Sequence, residues 1–226
     1  MGNYEIIPIF LKSVYAFLLK GTKNILIDCG IPGSEVTILK AMAEHGVESG
    51  ALSLILITHG HSDHMGAVSA LRGITGAQTA IHQADAAVIR TGKNPSLHAQ
   101  SRLGSLFAAV IGEEIKGFSP YEPELLIDGE MSLDGFGIPG KVLMTPGHTE
   151  GSVSVLLNSG EMFIGDALMG GMLTRGKPRF PVYADNVDKA NDSIRRIVSL
   201  NPKILCTGHG GPFTVDEVKS SFKGRF

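Results

Sequence analysis

The stretch THGHSDHMG, residues 58–66, sets three histidines and an aspartate within six positions, directly after the apolar run LSLILI. The chain has only eight histidines in 226 residues, so this concentration constrains the fold more than any other feature. Imidazoles and a carboxylate crowded at the end of a buried strand are costly to desolvate unless a cation binds them. Alternate residues of an extended segment point the same way, so His59 and His61 can face one point. Asp63 and His64, one step further on, can face a second. One loop can therefore seed two metal positions.

Three later segments repeat the design. TPGHTEGS places His148 in a glycine-rich loop after the strand KVLM, FIGDA places Asp166 at the end of MFI, and TGHGGP places His209 at the end of KILC. Loops at strand ends are where scaffolds tend to carry function, and glycine lets such loops turn tightly. A lone histidine or aspartate in a loop is ordinarily a structural hydrogen-bonding group. Five histidines and two aspartates in this pattern together point to a metal centre. Imidazole with carboxylate suits zinc, iron or manganese. Cys29 and Cys206 lie far apart, form no CxxC pair and read as reduced core thiols rather than ligands.

Around these motifs, strand and helix signals alternate, which indicates an α/β fold. YEIIPIF, VYAFLL and NILIDCG read as strands, with a hairpin at KGTKN. Ser34 caps a helix running to about His45, with Val36, Leu39 and Ala43 as its apolar positions. Helices follow at about 65–71 and 83–90, with the strand QTAIH between them. LLID, KVLMT, SVSVLLN and EMFIGD are strands. Asp185 caps a helix to about Leu200 with Val187, Ala190, Ile194 and Ile197 inward, and KILCTG closes the fold. Residues 92–123 break the rhythm. Leu103, Leu106, Phe107, Val110 and Ile111 there follow helical spacing, a helical insertion that is a candidate lid or dimer contact.

The 43% hydrophobic and 19% charged composition fits one globular domain over residues 1–226. A net charge of −2 without a Lys/Arg block argues against a nucleic-acid partner. No apolar run is long enough for a membrane span. The N-terminal stretch has no basic leader and no Ala-x-Ala site, so the expected compartment is cytoplasmic.

Taken in order, THGHSDHMG, TPGHTEGS, IGDA and TGHGGP, preceded by NILIDCG, resemble the metallo-β-lactamase fold superfamily from about Tyr4 to Gly211. The resemblance implies a four-layer αββα sandwich of two mixed β-sheets flanked by helices, with a dinuclear site at one edge. By that resemblance His59, His61 and His148 hold one divalent ion, and Asp63, His64 and His209 hold a second. Asp166 bridges the two, and Asp28 orients a ligand histidine. The cofactors implied are two divalent ions, zinc first, with iron or manganese as alternatives. Such a pair shares a hydroxide that attacks a carbonyl carbon.

Retention of Asp166 resembles the glyoxalase II-like and lactonase-like members, hydrolases of small esters, thioesters or lactones. The chain ends before the helical C-terminal domain of long glyoxalase II enzymes. Asp63 is a candidate proton shuttle as well as a ligand, and Tyr183 a candidate oxyanion donor. Arg175, Lys177, Arg179 and His98 are candidates to meet a small-molecule substrate, beside an apolar wall of Met169, Met172, Leu103 and Phe107. One alternative is a mononuclear iron persulfide dioxygenase using His59, His148 and Asp166. β-Lactam hydrolysis as a side activity and a metal-binding protein with incidental hydrolysis are the others.

Overall fold

Strand β4 (Leu52–Leu56) explains why LSLILI is apolar at nearly every position. In the computed structural model, which describes residues 4–93, 118–171 and 173–224, Leu54 and Leu56 point into a cluster shared between two sheets. Ile55 and Ile57 point the other way, among helices. A strand covered on both faces needs apolar residues in both registers.

The first sheet has the order β1 (Glu5–Leu11), β2 (Val14–Lys20), β3 (Asn24–Ile27), β4, β5 (Gln78–His82), β6 (Leu125–Ile127). Its first three strands are antiparallel and the rest run parallel. The second sheet runs β11 (Ile204–Cys206), β10 (Glu161–Phe163), β9 (Val153–Leu157), β8 (Gly140–Met144), β7 (Met131–Ser132). It is antiparallel except for the parallel β10–β11 pair. Both sheets are mixed. Phe17, Ile27 and Leu56 of the first sheet meet Val142, Val155 and Phe163 of the second in a closed apolar layer. Each such side chain contributes about 1.5–3 kcal/mol relative to exposure.

Helices cover the outer faces. On the first sheet, α1 (Glu35–Glu44), α3 (Val68–Thr75) and α4 (Ala86–Thr91) bury Ile38, Met42, Leu71 and Ile89. On the second, α5 (Val187–Ser199) and α6 (Val215–Ser221) bury Ile194, Ile197 and Val218 against Met162 and Leu205. The result is the αββα sandwich. Among the described residues no helix is long and apolar enough to cross a membrane.

Several local expectations are corrected. Helix α1 buries Ile38 and Met42, not Val36, which is 70% exposed, and Ala43 is exposed too. The helix expected over 65–71 is two, α2 (Ser62–Met65) and α3. Helix α4 starts three residues later than its pattern suggests. The Gln83 amide donates to the Ile127 carbonyl and the Ala84 amide to His82 Nδ1, so both are spent outside the helix. The cap of α5 is Asn186, whose side chain accepts from the Lys189 amide at 3.0 Å, rather than Asp185. Val187 at its start faces outward. KILCTG does not close the fold. Thr214 and Glu217 form a reciprocal capping box that starts α6. His98, Met172 and the segment holding Leu103, Leu106, Phe107, Val110 and Ile111 lie outside the described residues.

Candidate metal centre

The strand ends converge at one edge of the sandwich. Asp28 follows β3, Thr58 to His61 follow β4, His148 follows β8, Asp166 follows β10 and His209 follows β11. The chain is extended at His61 and then makes the single helical turn α2. That change of direction puts Asp63 and His64 on a different side from His59 and His61. All five histidines and Asp166 are buried, while the Asp63 side chain keeps 30% of its exposure.

Two clusters result. The ligand-type nitrogens of His59, His61 and His148 lie within 4.8 Å of one another, as do the corresponding atoms of Asp63, His64 and His209. Asp166 stands between them. Its Oδ1 is 3.5 Å from His64 Nε2, and its Oδ2 is 3.5 Å from His209 Nε2 and 3.8 Å from His148 Nε2. It also groups with His59 and His64.

Hydrogen bonding on the far side of each ring decides which nitrogen faces inward. His148 Nδ1 is 2.7 Å from the Tyr183 carbonyl and His209 Nδ1 is 2.7 Å from the Ser13 carbonyl. A carbonyl only accepts, so both Nδ1 atoms carry hydrogen. His64 Nδ1 donates to Asp28 Oδ2 at 2.8 Å. The Thr58 hydroxyl donates to the same Oδ2, which leaves its oxygen to accept from His59 Nδ1 at 3.1 Å. In their neutral forms these four rings present bare Nε2 lone pairs to the interior.

That arrangement favours a cation. His59 Nε2 and His148 Nε2 face each other at 3.2 Å, and with both Nδ1 atoms protonated no hydrogen lies between them in the neutral pair. His61 completes the trio through Nδ1, 2.9 Å from His148 Nε2. His64 Nε2 and Asp166 Oδ1 are buried with no hydrogen-bond partner. Buried polar atoms are ordinarily paired, so two such atoms facing each other at 3.5 Å fit a positive centre between them. Imidazoles held from behind by carbonyls and a carboxylate fit a divalent transition ion.

The electrostatics divide the clusters. Burial, reinforced by neighbouring histidines, pushes His59 well below its ordinary pKa and His61 down to about 3; burial also lowers His148. These rings are neutral and ready to ligate. Burial acts the same way on His64 and His209, but Asp166 first, then Asp28 and Asp63 for His64 and Asp63 for His209, outweigh it and raise both. Asp63 and Asp166 are held below the ordinary carboxylate range, because His64 and His209 outweigh the effect of burial. This half of the site attracts positive charge, a proton or a metal in its place.

Backbone space is matched to these side chains. A Cβ on Gly208 would fall 2.5 Å from Asp166 Oδ1 and against His64 Cε1. Of the remaining candidates, Tyr183 lends its carbonyl to His148, and partial burial followed by the charge of Asp63 raises its phenol pKa. The Arg175 guanidinium is engaged elsewhere. It grips both carboxylate oxygens of Glu217 at 2.6 and 2.7 Å, donates to the Pro212 carbonyl and covers the Phe213 ring. Lys177 and Arg179 are exposed, and the Arg179 backbone bridges to Met169, three residues after Asp166. Thr58, Ser13 and Asp85 escaped the sequence reading. Thr58 opens the motif itself, but a backbone carbonyl such as that of Ser13 leaves no residue-type signal. Asp85 falls inside the helix expected over 83–90, where an acidic residue carries no signal of a distant role.

Residues 10–209 match the sequence profile described as the metallo-beta-lactamase superfamily. The chain is 28% identical over 219 residues to a probable metallo-hydrolase, YflN, of Bacillus subtilis, covering 87% of this chain and 78% of that one. It is 30% identical over 204 residues to a hydroxyacylglutathione hydrolase of Cereibacter sphaeroides, covering 88% of this chain and 63% of the relative. Among solved structures, an archaeal metallo-beta-lactamase superfamily protein from Sulfolobus tokodaii superposes with a TM-score of 0.70 at 21% identity. That superposition covers 99% of this chain and 86% of the other.

Proposed function

Because the chain belongs to the metallo-β-lactamase superfamily, and is a metal-dependent hydrolase by its relatives, we propose that it binds two divalent ions and cleaves a small ester, thioester or lactone. The observation that carries this reading is the set of four histidines whose Nδ1 atoms are committed to Thr58, Asp28, Tyr183 and Ser13. Their Nε2 atoms are left for a cation. His59, His61 and His148 would hold one ion, and Asp63, His64 and His209 the other, with Asp166 shared. Zinc suits the donor set best, ahead of iron and manganese. Bound there, the ions would supply an activated water and polarise the substrate carbonyl.

The chain's own residues set the rest. Asp63, partly exposed among buried neighbours, passes a proton between the reacting centre and solvent. The Tyr183 hydroxyl, coupled electrostatically to Asp63, donates to the oxygen that gains charge. Lys177 and Arg179 meet an anionic part of the substrate, a role the Glu217 pairing denies to Arg175. The hydroxyacylglutathione hydrolase relative supports the thioester class. The chain spans 63% of that relative's length, so the support reaches the acyl thioester chemistry rather than glutathione recognition.

The test is metal content by plasma mass spectrometry on protein purified without added metal, followed by an ester, thioester and lactone panel. About two ions per chain, with turnover lost on chelation and restored by zinc, is the expected result. A single iron per chain, unaffected by Asp63→Asn, would refute the hydrolase reading and turn attention to oxygen consumption with persulfides.

A further inference from the structure

We infer that Asp85 is a positioning residue that holds the two loops of the three-histidine cluster in register; the inference rests on the metal-binding reading above. Asp85 is buried, 7% exposed, and makes no ion pair among the described residues. It occupies the N-cap position of α4 yet makes no capping bond. Its carboxylate turns away from its own helix. Oδ2 accepts from the Gly60 amide at 2.7 Å and from the Thr149 hydroxyl at 2.7 Å, and Oδ1 accepts from the Gly151 amide at 3.0 Å.

Those three donors belong to two loops. Gly60 sits between His59 and His61, and Thr149 directly follows His148. Thr149 is held in turn by Ser152, whose Oγ accepts from the Thr149 amide at 3.0 Å and pairs with its hydroxyl at 2.9 Å. One carboxylate thus ties the loop bearing His59 and His61 to the loop bearing His148. The space is as specific as the bonding. A Cβ on Gly60 would lie 3.1 Å from Asp85 Cβ, and one on Gly151 would lie 2.5 Å from Asp85 Cγ. The two glycines are where the carboxylate comes closest to the backbone.

The bond set explains how His59 Nε2 and His148 Nε2 stay 3.2 Å apart although nothing attracts neutral lone pairs to one another. Among the described residues no hydrogen bond joins Asp85 to Asp63, His64 or His209. Its influence is confined to one ion position.

Zinc affinity of the metal-free protein, measured by competition with a chromophoric chelator in two backgrounds, tests this. In a His209→Ala background, which leaves the three-histidine position, Asp85→Asn lowers zinc affinity about 10–100-fold. In a His148→Ala background, which leaves the Asp63/His64/His209 position, Asp85→Asn changes nothing. Thr149→Val lowers affinity in the first background by less, and Thr149→Ser restores it. Should Asp85→Asn fail to fold, judged by melting of the metal-free protein, the Thr149 pair carries the same comparison. An equal loss in both backgrounds makes Asp85 a general structural group and overturns the inference, as does no loss in the first. Wild-type protein that takes up no zinc overturns the metal-binding reading itself, a separate and recognisable result.

Discussion

Replacing Asp28 by asparagine removes a charge and almost no volume, and the structure sets the consequence. Asp28 accepts three hydrogen bonds, each 2.8 Å long: the Thr58 amide on Oδ1, and the Thr58 hydroxyl and His64 Nδ1 on Oδ2. Its backbone is left-handed at φ 59°, a region asparagine tolerates better than most residues, so the substitution adds little backbone strain. Alanine is uninformative. It strands three buried donors at about 1–3 kcal/mol each, on the order of the whole stability of a domain. Asparagine has one accepting oxygen and one donating nitrogen. With the oxygen toward His64, its amide nitrogen opposes the Thr58 N–H, one unmatched pair worth about 1–3 kcal/mol. With the oxygen toward Thr58, His64 meets a donor and must move its hydrogen to Nε2, where it blocks ligation. Either way the neutral amide makes His64 a poorer ligand, and zinc affinity at the Asp63/His64/His209 position should fall about 10–100-fold, or roughly 1.4–2.7 kcal/mol. Chelator competition reads the affinity, and urea unfolding of the metal-free protein followed by circular dichroism reads the stability. A variant that binds zinc within about threefold of wild type would refute the claim that Asp28 sets the tautomer of His64.

Gly208→Ala should abolish ion uptake at the same position, since its Cβ would meet both His64 and Asp166; metal content of the folded variant is the check. Tyr183→Phe should leave zinc binding intact, because the carbonyl that accepts from His148 is backbone and is kept, yet lower kcat on an ester or thioester about 100-fold. Equal kcat values would remove the hydroxyl from the chemistry. Glu124 accepts from the Thr79 amide and hydroxyl and from Arg72. Burial raises its pKa, but the Arg72 and Thr79 bonds outweigh this and hold it below the ordinary value of 4.5. A depressed carboxylate contributes stability that is present above its ordinary pKa and lost as the pH falls toward the folded value. Glu124→Gln should therefore flatten the acid side of a plot of melting temperature against pH below about 4.5, with little change in slope above it.

The layered fold could be read from the chain because its strands are buried on both faces and its helices return at short intervals. LSLILI shows this in one segment. The site residues were legible for a related reason, since His59, His61, His64 and their partners are defined by residue type and by position after a strand. What escaped depends on direction or distance. Helix α1 carries Val36, Leu39 and Ala43 on one stripe and Ile38 and Met42 on another, and packing buries the second, takes Leu39 in part and leaves Val36 and Ala43 exposed. Arg175 and Glu217 are 42 positions apart, so their pairing is invisible beside the basic residues of the loop. Asp85 precedes a helix, where capping is the ordinary expectation, and its donors lie on loops 25 and 66 positions away. Carbonyls of Ser13 and Tyr183 orient two histidines through atoms that every residue possesses.

The bond from His209 to Ser13 joins residues 196 positions apart and pins the turn of the first hairpin to the last ligand loop. A chain emerging from the ribosome can bring His59, His61 and His148 together well before strand β11 exists. His209 acquires its orienting carbonyl only when that strand docks beside β10. Of the two clusters, the one formed by Asp63, His64 and His209 is therefore completed last, and its geometry reports completion of the tertiary structure, since long-range closure of this kind is the slow part of folding.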